Sequence, residues 1–198
     1  MSFVPAPDDL RAALDPVADA LEALGVAYRV GGSVASSAMG VGRSTLDIDL
    51  VADLRDEHVA RLVARLAADY YVDADAIHDA IRRRSSFNVI HLASMMKVDV
   101  FVLKTRAFDR QAFDRATERQ VGDAPTRRFP MTSAEDIVLH KLEWYRLGNE
   151  IAQRQWDDIL GVLRLQGTAL DRGHLERWAR ELGVADLLSR ALAEAGLG

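Results

Sequence analysis

The sequence predicts an α+β fold: a mixed sheet flanked by helices over residues 1–130, then a helical region over residues 131–198. Three observations carry this. Apolar and polar residues alternate with period two at residues 45–51, 87–92 and 97–103, the pattern of half-buried strands. Between those strands lie segments with apolar residues at three- and four-residue steps, the pattern of helices. From Ser133 onward only the helical pattern remains.

Leu10, Leu14, Val17, Leu21 and Leu24 place a helix over residues 8–24, with a break or restart expected at Pro16 and a stop at Gly25. Residues 27–30 fit a short strand. Gly31-Gly32-Ser33 turns the chain into a small-residue helix over 34–39, and Gly40 and Gly42 make a flexible turn. In the strand over 45–51, Leu46, Ile48 and Leu50 share one face, while Thr45, Asp47, Asp49 and Val51 share the other. A helix over 55–68, a short strand over 70–72 and a helix over 74–83 follow. The strands at 87–92 and 97–103 are joined by Ala93-Ser94-Met95-Met96, which suits a hairpin. Residues 107–116 read as a helix, and 121–130, with Gly and Pro, as turns and short strands. Ser133 and Asp136 mark a helix start and Gly148 its end. Three further helices are expected over 153–165, 171–182 and 184–195.

Composition narrows the function classes. The 198 residues are 49% hydrophobic and 28% charged, with no cysteine, so a globular fold without disulfides or thiolate metal ligands is expected. There is no apolar run of membrane-spanning length and no signal-peptide pattern, which points to a cytoplasmic protein without a membrane partner. The formal net charge of −5 argues against extended DNA binding, which favours a strongly basic face.

The chemistry concentrates in carboxylates. On one strand, Asp47 and Asp49 leave the same face with Cα atoms roughly 7 Å apart. Two carboxylates held so repel each other unless a cation or proton neutralises them, and magnesium, with phosphate oxygens completing its shell, is the usual solution. In Lys97-Val98-Asp99-Val100-Phe101-Val102 the valines share one face and Asp99 points to the other. Asp99 could help a second metal ion or act as base toward an acceptor hydroxyl. An Asp-x-Asp pair alone is common in solvated strands and turns. The Gly31-Gly32-Ser33 turn upstream makes it specific, because glycine permits positive φ and close approach to a ligand, and the Ser33 hydroxyl could bond a terminal phosphate.

An apolar strand, Gly-Gly/Ser, a helix, Arg43-x-Thr45, Asp47-x-Asp49 in a strand and Asp99 on a later strand together resemble the DNA polymerase beta-like nucleotidyltransferase superfamily, over roughly residues 28–103. The resemblance implies a nucleotidyltransferase-type sheet. It also implies a magnesium-dependent transfer of a nucleoside monophosphate from a nucleoside triphosphate such as ATP, with pyrophosphate leaving. Asp47, Asp49 and Asp99 would be the catalytic metal ligands for one or two magnesium ions. Gly32, Ser33 and Arg43 would meet the nucleotide. In the helical half, residues 133–142 and 154–159 are similar to the abortive-infection type IV toxin nucleotidyltransferases (AbiEii-like). That similarity implies that Lys141 meets the triphosphate, that Asp158 orients Lys141 or the nucleotide, and that a cognate antitoxin is a partner. Gln155 stands where those toxins often carry another Asp. Lys141 and Asp158 also suit a plain interhelical surface ion pair.

The acceptor stays open between tRNA, protein and a small molecule, since fold resemblance does not choose among them. The alternative is a non-catalytic nucleotide-binding, antitoxin or interaction protein on the same fold. The five histidines show no metal-ligand spacing. Arg82-Arg83-Arg84 reads as a solvated helix end, and Trp144, Tyr145, Trp156 and Trp178 as helix-packing residues.

Overall fold

A computed structural model describes residues 7–38, 47–120 and 127–198. The expected turn at Gly40 and Gly42, the start of the strand at Thr45, Arg43, and residues 121–126 lie outside the described residues. The elements are α1 (Pro7–Ala23), β1 (Tyr28–Val30), α2 (Gly32–Ala38), β2 (Asp47–Ala52), α3 (Asp56–Leu66), β3 (Tyr70–Tyr71), α4 (Ala74–Arg83), β4 (Ser86–His91), β5 (Lys97–Val102), α5 (Ala107–Asp114), β6 (Thr117–Gln120), β7 (Arg128–Met131), α6 (Ala134–Leu147), α7 (Gln153–Gln166), α8 (Arg172–Glu181) and α9 (Ala185–Glu194). The architecture is α+β, as expected.

The described residues fall into two compact units. One comprises residues 7–34, 47–120 and 127–131, the other 35–38 and 132–198. The first holds a seven-stranded mixed sheet in the order β3-β4-β5-β2-β1-β7-β6. The pairs β2–β5 and β1–β7 are parallel, and β1–β2, β3–β4, β4–β5 and β6–β7 are antiparallel. Period-two alternation divides the central strands into two faces. Ile48, Leu50, Ala52, Val98, Val100 and Val102 are buried. The alternate positions Asp49, Val51, Lys97, Asp99 and Phe101 are half-buried, and Asp47 is exposed. Helices α1 and α4 touch β5, and α3 touches both helices. Their apolar stripes, such as Leu14, Val17 and Leu21 on α1 and Val59, Leu62 and Leu66 on α3, are buried.

Helix α1 runs unbroken through Pro16, where a break was expected. Proline at 16 removes the N–H that would bond the carbonyl of residue 12. The Tyr70 hydroxyl reaches that gap from β3, donating to Ala13 O at 2.8 Å and lying 3.3 Å from Ala12 O. A tertiary donor thus compensates for the lost helical bond. The expected helix over 107–116 stops at Asp114, and Thr117–Gln120 forms an edge strand paired with β7. This strand carries no apolar alternation, so its sequence gave no period-two signal. Its polar character is what an edge strand tolerates.

The second unit is helical. Contacts join α6 to α7 and α8, and α9 to α7 and α8. The predicted start of α6 is observed: Ser133 Oγ accepts from the Asp136 N–H at 3.2 Å and donates to Asp136 Oδ2 at 2.7 Å. The same fully buried carboxylate lies 2.6 Å from His174 Nε2 on α8, tying that helix to α6. Trp156 is buried, donates to Glu194 Oε2 at 2.9 Å and packs against Tyr145. Trp178 and Tyr145 are also buried, as expected of packing residues, but Trp144 is 52% exposed. Arg82 and Arg83 are exposed and pair with Asp79 on their own helix, consistent with a solvated helix end.

Candidate active site

The sheet brings the carboxylates together through one pairing that sequence spacing does not reveal. Strands β2 and β5 lie side by side, parallel, with Asp47 opposite Lys97 and Asp49 opposite Asp99. Because side chains alternate across a strand, all four leave the face opposite the valines. On the other side of β5, Asn88 stands opposite Asp99, so Asp49, Asp99 and Asn88 form a lateral row across three strands. An acidic patch on a strand surrounded by apolar neighbours is costly unless charge is balanced. Lys97 supplies part of that balance: its Nζ lies 2.8 Å from Asp99 Oδ2 and 3.5 Å from Asp47 Oδ1. The hydrogen bond to Asp99 raises the Lys97 ammonium above its ordinary range, against the opposing effect of desolvation.

Gly32 adds a backbone element to this cluster. The Gly31 N–H donates to Asp49 O at 2.9 Å, which fixes the β1–α2 turn against β2. Gly32 has φ +54°, and a Cβ added there would fall 1.7 Å from Asp49 Oδ2. Only a residue without a side chain lets the carboxylate lie against this backbone. Residue 33 occupies the first turn of α2, but its side chain, like all of Arg43, lies outside the described residues.

The donor set fits a hard divalent cation, since Asp47, Asp49 and Asp99 offer only carboxylate oxygens and an ammonium already sits among two of them. Among the described residues no three acidic or histidine side chains are gathered tightly enough to hold a metal by themselves. Phosphate oxygens would therefore have to supply part of the coordination shell.

In the helical unit, Lys141 Nζ on α6 donates to Asp158 Oδ2 on α7 at 2.9 Å, and the two side chains are only 11% and 10% exposed. This is a buried pair and not the surface ion pair that the spacing also allowed. Gln155 Nε2 lies 3.5 Å from Lys141 O, so the residue that departs from the toxin pattern borders the backbone of the same lysine. Asp157 is exposed and accepts from Gln153 Nε2 at 2.8 Å, facing away from that pair.

Nothing in local spacing singles out Lys97 or Asn88 as part of this cluster. The Lys97-x-Asp99 spacing does put both side chains on one face. What the sequence lacks is the neighbour relation between β2 and β5, strands separated by two helices and two other strands.

No protein-family model and no curated protein matches the chain. Solved structures do share its fold. The solution structure of the antibiotic-resistance factor ANT(2″)-Ia superposes with a TM-score of 0.53 at 17% identity, over 95% of this chain and 96% of that one. A crystal structure of ANT(2″)-Ia in complex with adenylyl-2″-tobramycin gives 0.53 at 16% identity, over 88% and 97%. An antigenic nucleotidyltransferase-like protein from Paracoccidioides brasiliensis gives 0.54 at 17% identity, over 94% and 93%. The fold is therefore that of nucleotidyltransferases. No described helix is long and apolar enough to cross a membrane.

Proposed function

We propose that the chain is a magnesium-dependent nucleotidyltransferase that moves a nucleoside monophosphate from a nucleoside triphosphate to an acceptor hydroxyl. The observation that carries this is the close approach of the Asp49 carboxylate to Gly32, with Asp99 opposite Asp49 on the neighbouring strand. A sheet that merely needed to be stable would have no use for three acids on one face and a positive-φ glycine against one of them.

In this reading the acceptor oxygen attacks the α-phosphorus, a new O–P bond forms, the bond to the β-phosphate oxygen breaks, and pyrophosphate leaves. Asp47 and Asp49 would hold the magnesium, and Asp99 would help hold a second ion or take the acceptor's proton on its carboxylate. The bound metal would supply neutralisation of the charge that builds on the phosphates. By the superfamily resemblance, Gly32, Ser33 and Arg43 line the nucleotide, and Lys141, oriented by Asp158, gives the triphosphate a point charge.

A small hydroxyl compound is the favoured acceptor. ANT(2″)-Ia, whose fold this chain shares nearly end to end, has been crystallised with an adenylylated antibiotic, and the net charge of −5 disfavours a long polyanion. The similarity of residues 133–142 and 154–159 to AbiEii-like toxins supports a second acceptor class, tRNA or protein, with an antitoxin partner in a cytoplasmic setting.

The test is transfer of label from each nucleoside triphosphate into product, with magnesium and a cell extract fractionated into small molecules, RNA and protein. Wild type is expected to label one fraction, and Asp49→Asn to lower that labelling by on the order of a hundredfold or more, because a neutral amide no longer serves as an anionic metal ligand. Equal labelling by the variant would refute the metal-site assignment. Binding of a magnesium–triphosphate complex without any pyrophosphate release would favour the non-catalytic nucleotide-binding alternative.

A further inference from the structure

The proposed metal site already contains a positive charge, and that charge belongs to the chain itself. Lys97 lies two residues before Asp99 on β5 and opposite Asp47 on β2. Its ammonium lies 2.8 Å from Asp99 Oδ2 and 3.5 Å from Asp47 Oδ1, with 39% of the side chain exposed. A lysine head on a flexible four-carbon stem can leave such a position without moving the backbone. We infer that Lys97 is a resident cation that closes the carboxylate cluster to free divalent metal, so that metal and nucleoside triphosphate enter together. This inference rests on the metal-site reading above and deepens it.

Lys97 and a divalent ion would compete for the same oxygens. A divalent ion held through Asp47, or a second one held through Asp99, would take the acceptor atoms that Lys97 now faces and would lie next to a like charge. Both contacts are partly solvated, so displacing the ammonium weakens free-metal binding by on the order of tenfold rather than abolishing it. A triphosphate changes the balance. It brings oxygen ligands for the metal, needed because no three described side chains gather tightly enough to hold it. It also brings negative charge to which the displaced ammonium can turn. Lys97 therefore favours the metal–nucleotide complex over the bare metal without being a catalytic residue. Its role is to position charge.

The test measures manganese(II) binding by the electron paramagnetic resonance signal of the free ion, with the manganese that the analogue takes up in a protein-free titration subtracted in the nucleotide arm. Wild type, Lys97→Met and Lys97→Arg are each titrated with and without the non-reacting α,β-methylene analogue of ATP. Thermal unfolding of each variant confirms that it is folded. Without nucleotide, Lys97→Met is expected to bind manganese about tenfold more tightly than wild type, and Lys97→Arg, which keeps the charge, as weakly as wild type. With the analogue, the advantage of Lys97→Met should vanish or reverse. If Lys97→Met and wild type bind free manganese equally while both bind it with the analogue, the inference about Lys97 fails and the metal site stands. If none of the three binds manganese even with the analogue, the metal-site reading fails and this inference with it.

Discussion

Replacing Gly32 by alanine is expected to cost nearly all transfer activity. The added Cβ would fall 1.7 Å from Asp49 Oδ2 and 2.5 Å from its Cγ, far inside contact distance, so either the carboxylate or the β1–α2 turn must move. The turn is held by the Gly31 N–H bond to Asp49 O at 2.9 Å, so backbone and side chain of the same aspartate are displaced together. A reacting group misplaced by about 1 Å costs on the order of a hundredfold in rate, and the required shift here is of that size. The left-handed conformation at +54° adds about 1 kcal/mol of strain for any residue with a Cβ. Gly25 provides the control, since it too has positive φ, +67°, but nothing lies within 4 Å of a Cβ built there. Gly25→Ala should therefore lose about 1 kcal/mol of stability and keep its activity. Initial rates and melting temperatures of the two variants separate strain from displacement of the carboxylate. Equal activity loss in both would show that the contact with Asp49 is irrelevant.

The buried Lys141–Asp158 pair gives the second large effect. Asp158→Ala leaves an ammonium that is 11% exposed without its 2.9 Å partner, and breaking such a pair typically destabilises by about 3–5 kcal/mol. Replacing both residues together, Lys141→Met with Asp158→Leu, removes the stranded charge and should restore most of the lost stability, because a well-packed apolar pair is often as stable as a buried ion pair. Activity should not return with it. If Lys141 meets the triphosphate, the double variant unfolds near the wild-type denaturant midpoint yet transfers label at least tenfold more slowly, the loss of a charge-assisted contact. A double variant with both stability and activity restored would make the pair purely structural.

Much of the fold was legible because its central strands alternate so regularly. The residues Ile48, Leu50, Val98, Val100 and Val102 that the sequence placed on an inner face are the buried ones, and Ser133 starts α6 as its side-chain chemistry requires. The misses have tertiary causes. At Pro16 the helix continues, and Tyr70, more than fifty residues away, lies within hydrogen-bond distance of the carbonyls of Ala12 and Ala13. Strand β6 is recruited by β7 despite a polar sequence. Trp144, an apolar residue on a periodic helix, is exposed. At the site, Asp47, Asp49 and Asp99 stood out as acids in apolar strands, and Gly32 as part of a turn. Neither the parallel pairing that sets Lys97 beside Asp47 nor the contact between Gly32 and Asp49 is written in local spacing, since both depend on which strands become neighbours.

In the proposed reaction the α-phosphoryl group moves with its nucleoside. Parallel reactions with the same nucleoside triphosphate labelled at the α- or at the γ-phosphate test this directly. The α-label is expected to enter the acceptor product and the γ-label to appear only in pyrophosphate, in equal molar amounts, with both signals lost in Asp49→Asn. Gamma-label in the acceptor product, or α-label remaining wholly in nucleotide while the γ-phosphate is released as inorganic phosphate, would contradict the proposed reaction.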